Sequence, residues 1–134
     1  MKKIIFLSII TIFSAIASAA KDKDSHLLEF TDTSYDFGTV VETSDSIVHE
    51  YEFTNIDSEP VAVLSVSTEC GCTRPEYPVK PLKPGETSKI KVTFNPLGQV
   101  GEVNKNIQVR YRGAKASKSK RIVLRLKGTV LPSK

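Results

Sequence analysis

The sequence has little cysteine, no tryptophan and none of the common catalytic motifs. Two cysteines among 134 residues are too few to build a disulfide scaffold. Without tryptophan, the core has to be filled by valine, isoleucine, leucine, phenylalanine and tyrosine. The chain contains no G-x-S-x-G elbow, no H-E-x-x-H helix and no glycine-rich phosphate loop. These absences predict a protein that is not an enzyme and that folds around an ordinary hydrophobic core.

The N-terminus has the pattern of a secretory signal peptide. Lys2 and Lys3 precede an apolar stretch over residues 4–16, and a small-residue cleavage pattern ends at Ala19. A membrane-spanning helix, the alternative, needs about 20 apolar residues, and this stretch is shorter. We therefore predict that residues 1–19 are a signal peptide and that the protein is exported to the periplasm or beyond. No transmembrane segment is expected after cleavage.

The rest of the chain, residues 20–134, alternates between apolar and polar side chains with the period of a β-strand. Ile90, Val92 and Phe94 are the clearest case, since polar residues separate them. About seven such runs, with turn signals at intervals of about 8–12 residues, predict a single immunoglobulin-like β-sandwich. A small barrel is the alternative. The prolines between residues 75 and 84 predict an edge strand or a loop, because proline has no backbone donor.

Several short motifs together resemble the bacterial domain of unknown function 1573 family. They are YDFGTV over 35–40, YEFTN over 51–55, CGCT over 70–73, PGE over 84–86 and LRLKGTV over 124–130. The resemblance extends from about Leu27 to Val130. It implies an exported immunoglobulin-like module, akin to the major-sperm-protein sandwiches, and it brings no established activity.

Cys70 and Cys72, the only cysteines, are separated by Gly71. A disulfide needs Cα atoms within about 4.4–6.8 Å of each other, and glycine permits the sharp turn that this requires. Such a bond closes a very short loop, so it should stabilise the fold little and should be reduced more readily than a structural disulfide. A local disulfide, a reduced thiol pair and a metal or redox site all remain open. The spacing differs from the C-x-x-C of thioredoxin-type proteins.

A metal site would need further ligands, because zinc sites use three or four protein side chains. The only histidines are His26 and His49. His26 lies near the mature N-terminus, and His49 alternates with apolar residues, which predicts a half-buried strand position. Glu50 and Glu52 are predicted to lie on a solvated strand face. We expect no metal and no cofactor.

Charge is distributed unevenly along the chain. Residues 21–60 contain 2 basic and 11 acidic side chains, whereas residues 61–134 contain 15 and 4. The last predicted hairpin carries the candidate interaction surface, formed by Arg110, Arg112, Lys115, Lys118, Lys120, Arg121 and Arg125. Antiparallel pairing should bring these side chains together. A solubilising surface without a partner is the competing interpretation.

The leading hypothesis is therefore an exported, non-catalytic interaction or structural module of the cell envelope. We expect a monomer whose partner is an acidic protein or an anionic envelope component, since an exported protein meets little nucleic acid. The alternative is a thiol-redox or metal-binding protein that acts through Cys70 and Cys72.

Overall fold

The computed structural model describes residues 26–134, and it confirms the predicted immunoglobulin-like β-sandwich. The predicted signal peptide lies outside the described residues. Residues 26–134 form eight strands: β1 Leu28–Phe30, β2 Ser34–Val41, β3 Ile47–Asn55, β4 Val61–Thr68, β5 Thr73–Glu76, β6 Thr87–Phe94, β7 Gly101–Gly113 and β8 Lys120–Leu131. No helix in the described part of the chain is long and apolar enough to span a membrane.

The strands form two four-stranded sheets that pack face to face. The first sheet has the order β1-β3-β6-β5 and the second has the order β2-β8-β7-β4. All neighbours are antiparallel except β2 and β8, which run parallel. Every connection from β1 to β5 crosses between the sheets, as does the connection from β6 to β7. The crossing from β4 back to β5 contains Cys70 and Cys72.

Inward residues of both sheets form one core. On β6 the side chains of Ile90, Val92 and Phe94 are buried, as their alternation predicted. Tyr51 of β3 is also buried, and its hydroxyl donates a hydrogen bond of 2.6 Å to the backbone carbonyl of Arg125 on β8. This bond connects the two sheets, because β3 and β8 belong to different ones.

The proline-rich stretch contributes the short edge strand β5. Pro75 pairs in register with Val92 of β6 at the open edge of the first sheet. A proline is tolerated there because no further strand requires its missing N–H. Pairing at this edge turns Thr73 inward, where it is buried, and leaves Arg74 exposed.

Candidate functional site

The outer surface of the second sheet carries a cluster of arginines at its hairpin end. We call Arg110, Arg112, Arg121 and Arg125 the basic face. Arg110 of β7 lies directly opposite Arg121 of β8, and all four side chains are exposed. Within residues 26–134, no carboxylate lies within 4.0 Å of any of them. Four positive charges thus share one surface without acidic partners.

The neighbouring strand β4 leaves the basic face open. Ala62 lies opposite Arg112, and Ser65 lies opposite Arg110. These small side chains neither neutralise nor cover the guanidinium groups. Two acidic residues lie on neighbouring strands of the same sheet. Asp36 of β2 is opposite Lys127, and the Glu69 carboxylate, beyond the end of β4, accepts a hydrogen bond of 3.3 Å from the Asn106 side chain.

The outer surface of the first sheet is different, because its charges are compensated. Glu50 lies opposite Lys91 and Glu52 lies opposite Lys89. The Lys89 ammonium also reaches the Glu50 carboxylate at 3.0 Å, and Lys91 lies 3.9 Å from Glu76. These are the acidic residues that the sequence placed on a solvated strand face. Comparison of the two surfaces identifies the second sheet as the one with unbalanced charge.

The three hairpin lysines do not all extend the basic face. Lys115 forms a 2.8 Å ion pair with Glu59, and this hydrogen bond raises the pKa of the lysine. Lys118 is exposed in the loop. Lys120 pairs in register with Tyr111, whose side chain is buried, so it belongs to the inward-facing row of β8. The arginines, rather than the lysines, therefore define the surface.

A second candidate lies where the chain returns from the second sheet to the first. A disulfide joins Cys70 and Cys72, whose Cα atoms are 5.2 Å apart. The Cys72 backbone N–H donates to Cys70 Sγ at 3.1 Å, and the Thr73 hydroxyl lies 3.7 Å from Cys72 Sγ. The turn is held by the Thr68 hydroxyl, which donates to the backbone carbonyls of Cys70 and Thr73. Both cysteines are half-buried.

A shallow groove of about 470 Å³ adjoins the disulfide. Its walls include Cys72, Arg74 and Asn95. The Asn95 N–H donates to the Cys72 carbonyl at 2.9 Å, which ties the cysteine turn to the end of β6. Sequence reasoning identified the cysteines and missed Arg74. Its place immediately after the CGCT motif was the available signal, but only the structure shows that Arg74 lines the same groove as Cys72.

The histidines do not join the cysteines. His49 is half-buried, as predicted, and its ring stacks on Tyr35 with centroids 3.8 Å apart. Burial lowers the pKa of His49, and the charges of Asp32 and Glu50 oppose that effect. Its Nε2 atom is buried without a hydrogen-bond partner. Across residues 26–134, no three side chains of the histidine, cysteine, aspartate or glutamate type are grouped so that they could hold a metal ion.

The two packed sheets define a small immunoglobulin-like β-sandwich. The chain belongs to the family described as Protein of unknown function (DUF1573), whose sequence profile matches residues 28–130. This confirms the resemblance found in the motifs. No curated protein matches the chain by sequence.

Solved structures share this fold at low sequence identity. PapD-like domain 7 of human CEP192 is 17% identical, with a TM-score of 0.66 over 81% of this chain and 87% of that one. The CsuC–CsuE chaperone–tip adhesion subunit pre-assembly complex of Acinetobacter baumannii gives 14%, with a TM-score of 0.54 over 78% and 57%. The E. coli chaperone DraB is 14% identical in sequence, with a TM-score of 0.55 over 77% of this chain and 55% of that one. The chain therefore spans little more than half of these chaperone chains.

Proposed function

We propose that this chain is an exported, non-catalytic interaction module of the cell envelope, and that it binds an acidic protein or an anionic envelope component through the basic face. It acts as a monomer. The observation that carries the proposal is the placement of Arg110 opposite Arg121 without a neighbouring carboxylate. Like charges in cross-strand positions destabilise a sheet, so a bound anion would relieve an unfavourable arrangement.

Arginine is well suited to such a partner. Its guanidinium group presents a planar set of donors that matches carboxylate and phosphate groups in a bidentate manner. Arg121 and Arg125 lie on the same side of β8, separated by Val123, which is 42% exposed. Residues two apart on a strand are spaced by about 6.8 Å, so the face offers regularly spaced cationic contacts around an apolar centre.

The structural relatives support a role in protein interaction. The A. baumannii structure is a complex between a chaperone and an adhesion subunit. At this identity the likeness concerns the fold alone, so the partner class proposed here rests on the charges of the basic face.

Binding to envelope fractions tests the proposal. Arg110→Glu/Arg121→Glu reverses two charges of the basic face, and Lys80→Glu/Lys83→Glu makes the same change in net charge on exposed lysines elsewhere. We expect the first variant to lose binding in sedimentation or pull-down assays and the second to retain it. Equal binding by both variants would refute the basic face as the binding surface.

Export is tested separately by N-terminal sequencing of the protein recovered outside the cytoplasm. We expect the mature chain to begin immediately after Ala19. Recovery of the exported protein with Met1 intact would contradict the signal peptide.

A further inference from the structure

The Cys70–Cys72 disulfide is open to attack from one side. Apart from the two cysteines themselves, no residue comes within 4 Å of the position where a Cβ atom would stand on the intervening Gly71, and the glycine is exposed. Cys72 also borders the groove beside β5, so a small thiol can approach its sulfur along that groove. The bond joins residues only two apart, so it contributes little to holding the sandwich together. Accessibility and a minor structural role are the properties expected of a labile disulfide.

The two sulfur atoms are not equivalent. Cys70 Sγ accepts the hydrogen bond from the Cys72 N–H at 3.1 Å. A donor at this position stabilises a thiolate more than a neutral thiol, so Cys70 is the better leaving group. Thiol–disulfide exchange is faster when the leaving thiol has the lower pKa. The Thr73 hydroxyl contact to Cys72 Sγ is longer, at 3.7 Å, than the amide contact to Cys70 Sγ, at 3.1 Å. This asymmetry directs an attacking thiolate to Cys72.

Backbone contacts hold this arrangement independently of the sulfur–sulfur bond. The Thr73 N–H donates to the Cys70 carbonyl at 3.2 Å, and the Asn95 N–H donates to the Cys72 carbonyl at 2.9 Å. Because these bonds do not involve sulfur, the turn can keep its shape when the disulfide opens. The released Cys70 thiolate then stays within reach of the amide that stabilises it.

The charge of the groove selects among thiols. Arg74 is the only charged side chain among the residues that line it, and it lies two positions after Cys72. Its guanidinium group attracts both the attacking thiolate and any carboxylate carried by the same molecule. An anionic thiol should therefore react faster than a cationic one of similar basicity.

We propose that Cys70 and Cys72 form a thiol–disulfide exchange site that accepts anionic thiols through Cys72. The incoming thiolate forms a bond to Cys72 Sγ, the Cys70–Cys72 bond breaks, and its electron pair remains on Cys70 as a thiolate. When the partner is a dithiol, its second thiolate attacks the partner sulfur of this mixed disulfide and releases Cys72. The partner has then lost two electrons and two protons and become a disulfide, and Cys70 and Cys72 have gained the electrons as thiolates, which take up the two protons to become thiols. This activity does not depend on the basic face.

The position of the adduct provides the first test. The oxidised protein is incubated with glutathione, an anionic thiol, and quenched with N-ethylmaleimide, which blocks free Cys70 before it can reverse the reaction. Peptide mapping should find glutathione on Cys72 and maleimide on Cys70. Glutathione mainly on Cys70, or a disulfide that stays intact in excess glutathione, would overturn the proposal.

The rate provides the second test. Arg74→Glu should slow the reaction with glutathione about fivefold or more, as expected for unit charges a few ångströms apart in water, and should not slow the reaction with the cationic thiol cysteamine. The matched control is Lys80→Glu, the same charge change at an exposed residue outside both the groove and the basic face, which should leave both rates unchanged. Equal effects of the two variants on the glutathione rate would refute the role of the groove. Binding of the same proteins to envelope fractions is measured separately. The exchange site and the proposed binding function can therefore fail or succeed independently of each other.

Discussion

The ring of Phe37 on β2 occupies the space over Gly128 on β8 where any other residue would carry its side chain. A Cβ atom built on Gly128 would overlap the ring carbons. Phe37 reaches this position beside a bulge in β2, where Gly38 has a φ of 75° and the register with β8 shifts. The ring then stacks against Phe94 of the first sheet, with centroids 5.5 Å apart. The YDFGTV motif, which contains Phe37, and the LRLKGTV motif, which contains Gly128, therefore meet in one contact.

We therefore expect Gly128→Ala to destabilise the protein by about 1–3 kcal/mol, the usual range for overpacking a core. Chemical denaturation followed by circular dichroism measures this effect. Gly71→Ala is the control, because an added methyl group there meets no residue within 4 Å other than its chain neighbours. Equal stability of both variants would show that β2 can move away from β8 without loss.

Asn55 has a comparable role at the end of β3. Its buried amide donates to the carbonyls of Glu59 and Leu82, both at 3.0 Å, and its Oδ1 accepts from the Asp57 N–H at 2.8 Å. Asn55→Ala removes all three hydrogen bonds, although the Leu82 carbonyl still accepts from the Val61 N–H, so we expect a loss of about 1–3 kcal/mol. Asn95→Ala is the control, because that side chain is exposed and accepts only from the Leu97 N–H. Thermal unfolding that does not distinguish the two variants would contradict this account.

The cysteines should matter little for global stability. Cys70→Ser/Cys72→Ser removes the disulfide but releases only a two-residue segment, so we expect a folded protein that loses less than about 2 kcal/mol. Urea denaturation compares it with the oxidised wild type. A double variant that is unfolded at room temperature would show that the pair is structurally essential.

Stability should depend on pH through His49. Burial lowers the pKa of this histidine in the folded state, so the unfolded state binds a proton more readily. The contribution of neutral His49 to the unfolding free energy is fully present above the ordinary histidine pKa of about 6.5. It is lost as the pH falls from there through the lower pKa that His49 has in the folded state. We expect the unfolding free energy to decrease between about pH 7 and pH 5.

Substitution separates His49 from other titrating groups. His49→Phe keeps an aromatic ring against Tyr35 and removes the titration, so the decrease should become smaller. An unchanged pH profile in the His49 variant would assign the effect to carboxylates instead.

Much of the fold could be predicted from the sequence, because the alternation of apolar and polar residues along a strand is a local property. Burial of Ile90, Val92 and Phe94 requires only that the strand has one inward side. Strand β5 was less visible, since its four residues include Pro75. The parallel pairing of β2 with β8 joins segments some 90 residues apart, and nothing in either segment specifies the direction of its partner.

The basic face was predictable in part, because the alternation along each strand of a hairpin is also a local pattern. The sequence placed Arg110 and Arg121 on facing strands of one hairpin, and the register brings them opposite each other. It could not separate Lys120 from them, because the inward or outward direction of a residue at a strand end depends on the length of the loop. The ion pair between Lys115 and Glu59 joins two distant segments and left no local signal.

Salt dependence of binding tests the central claim most directly. The affinity for the envelope component that sediments with the wild-type protein is measured from about 0.1 M to 1 M salt, over which the Debye length falls from about 10 Å to about 3 Å. If the basic face binds an anion, affinity decreases steadily over this range, and Arg110→Glu/Arg121→Glu abolishes the dependence while Lys80→Glu/Lys83→Glu preserves it. An affinity that is independent of salt, or equally sensitive in both variants, would contradict the account.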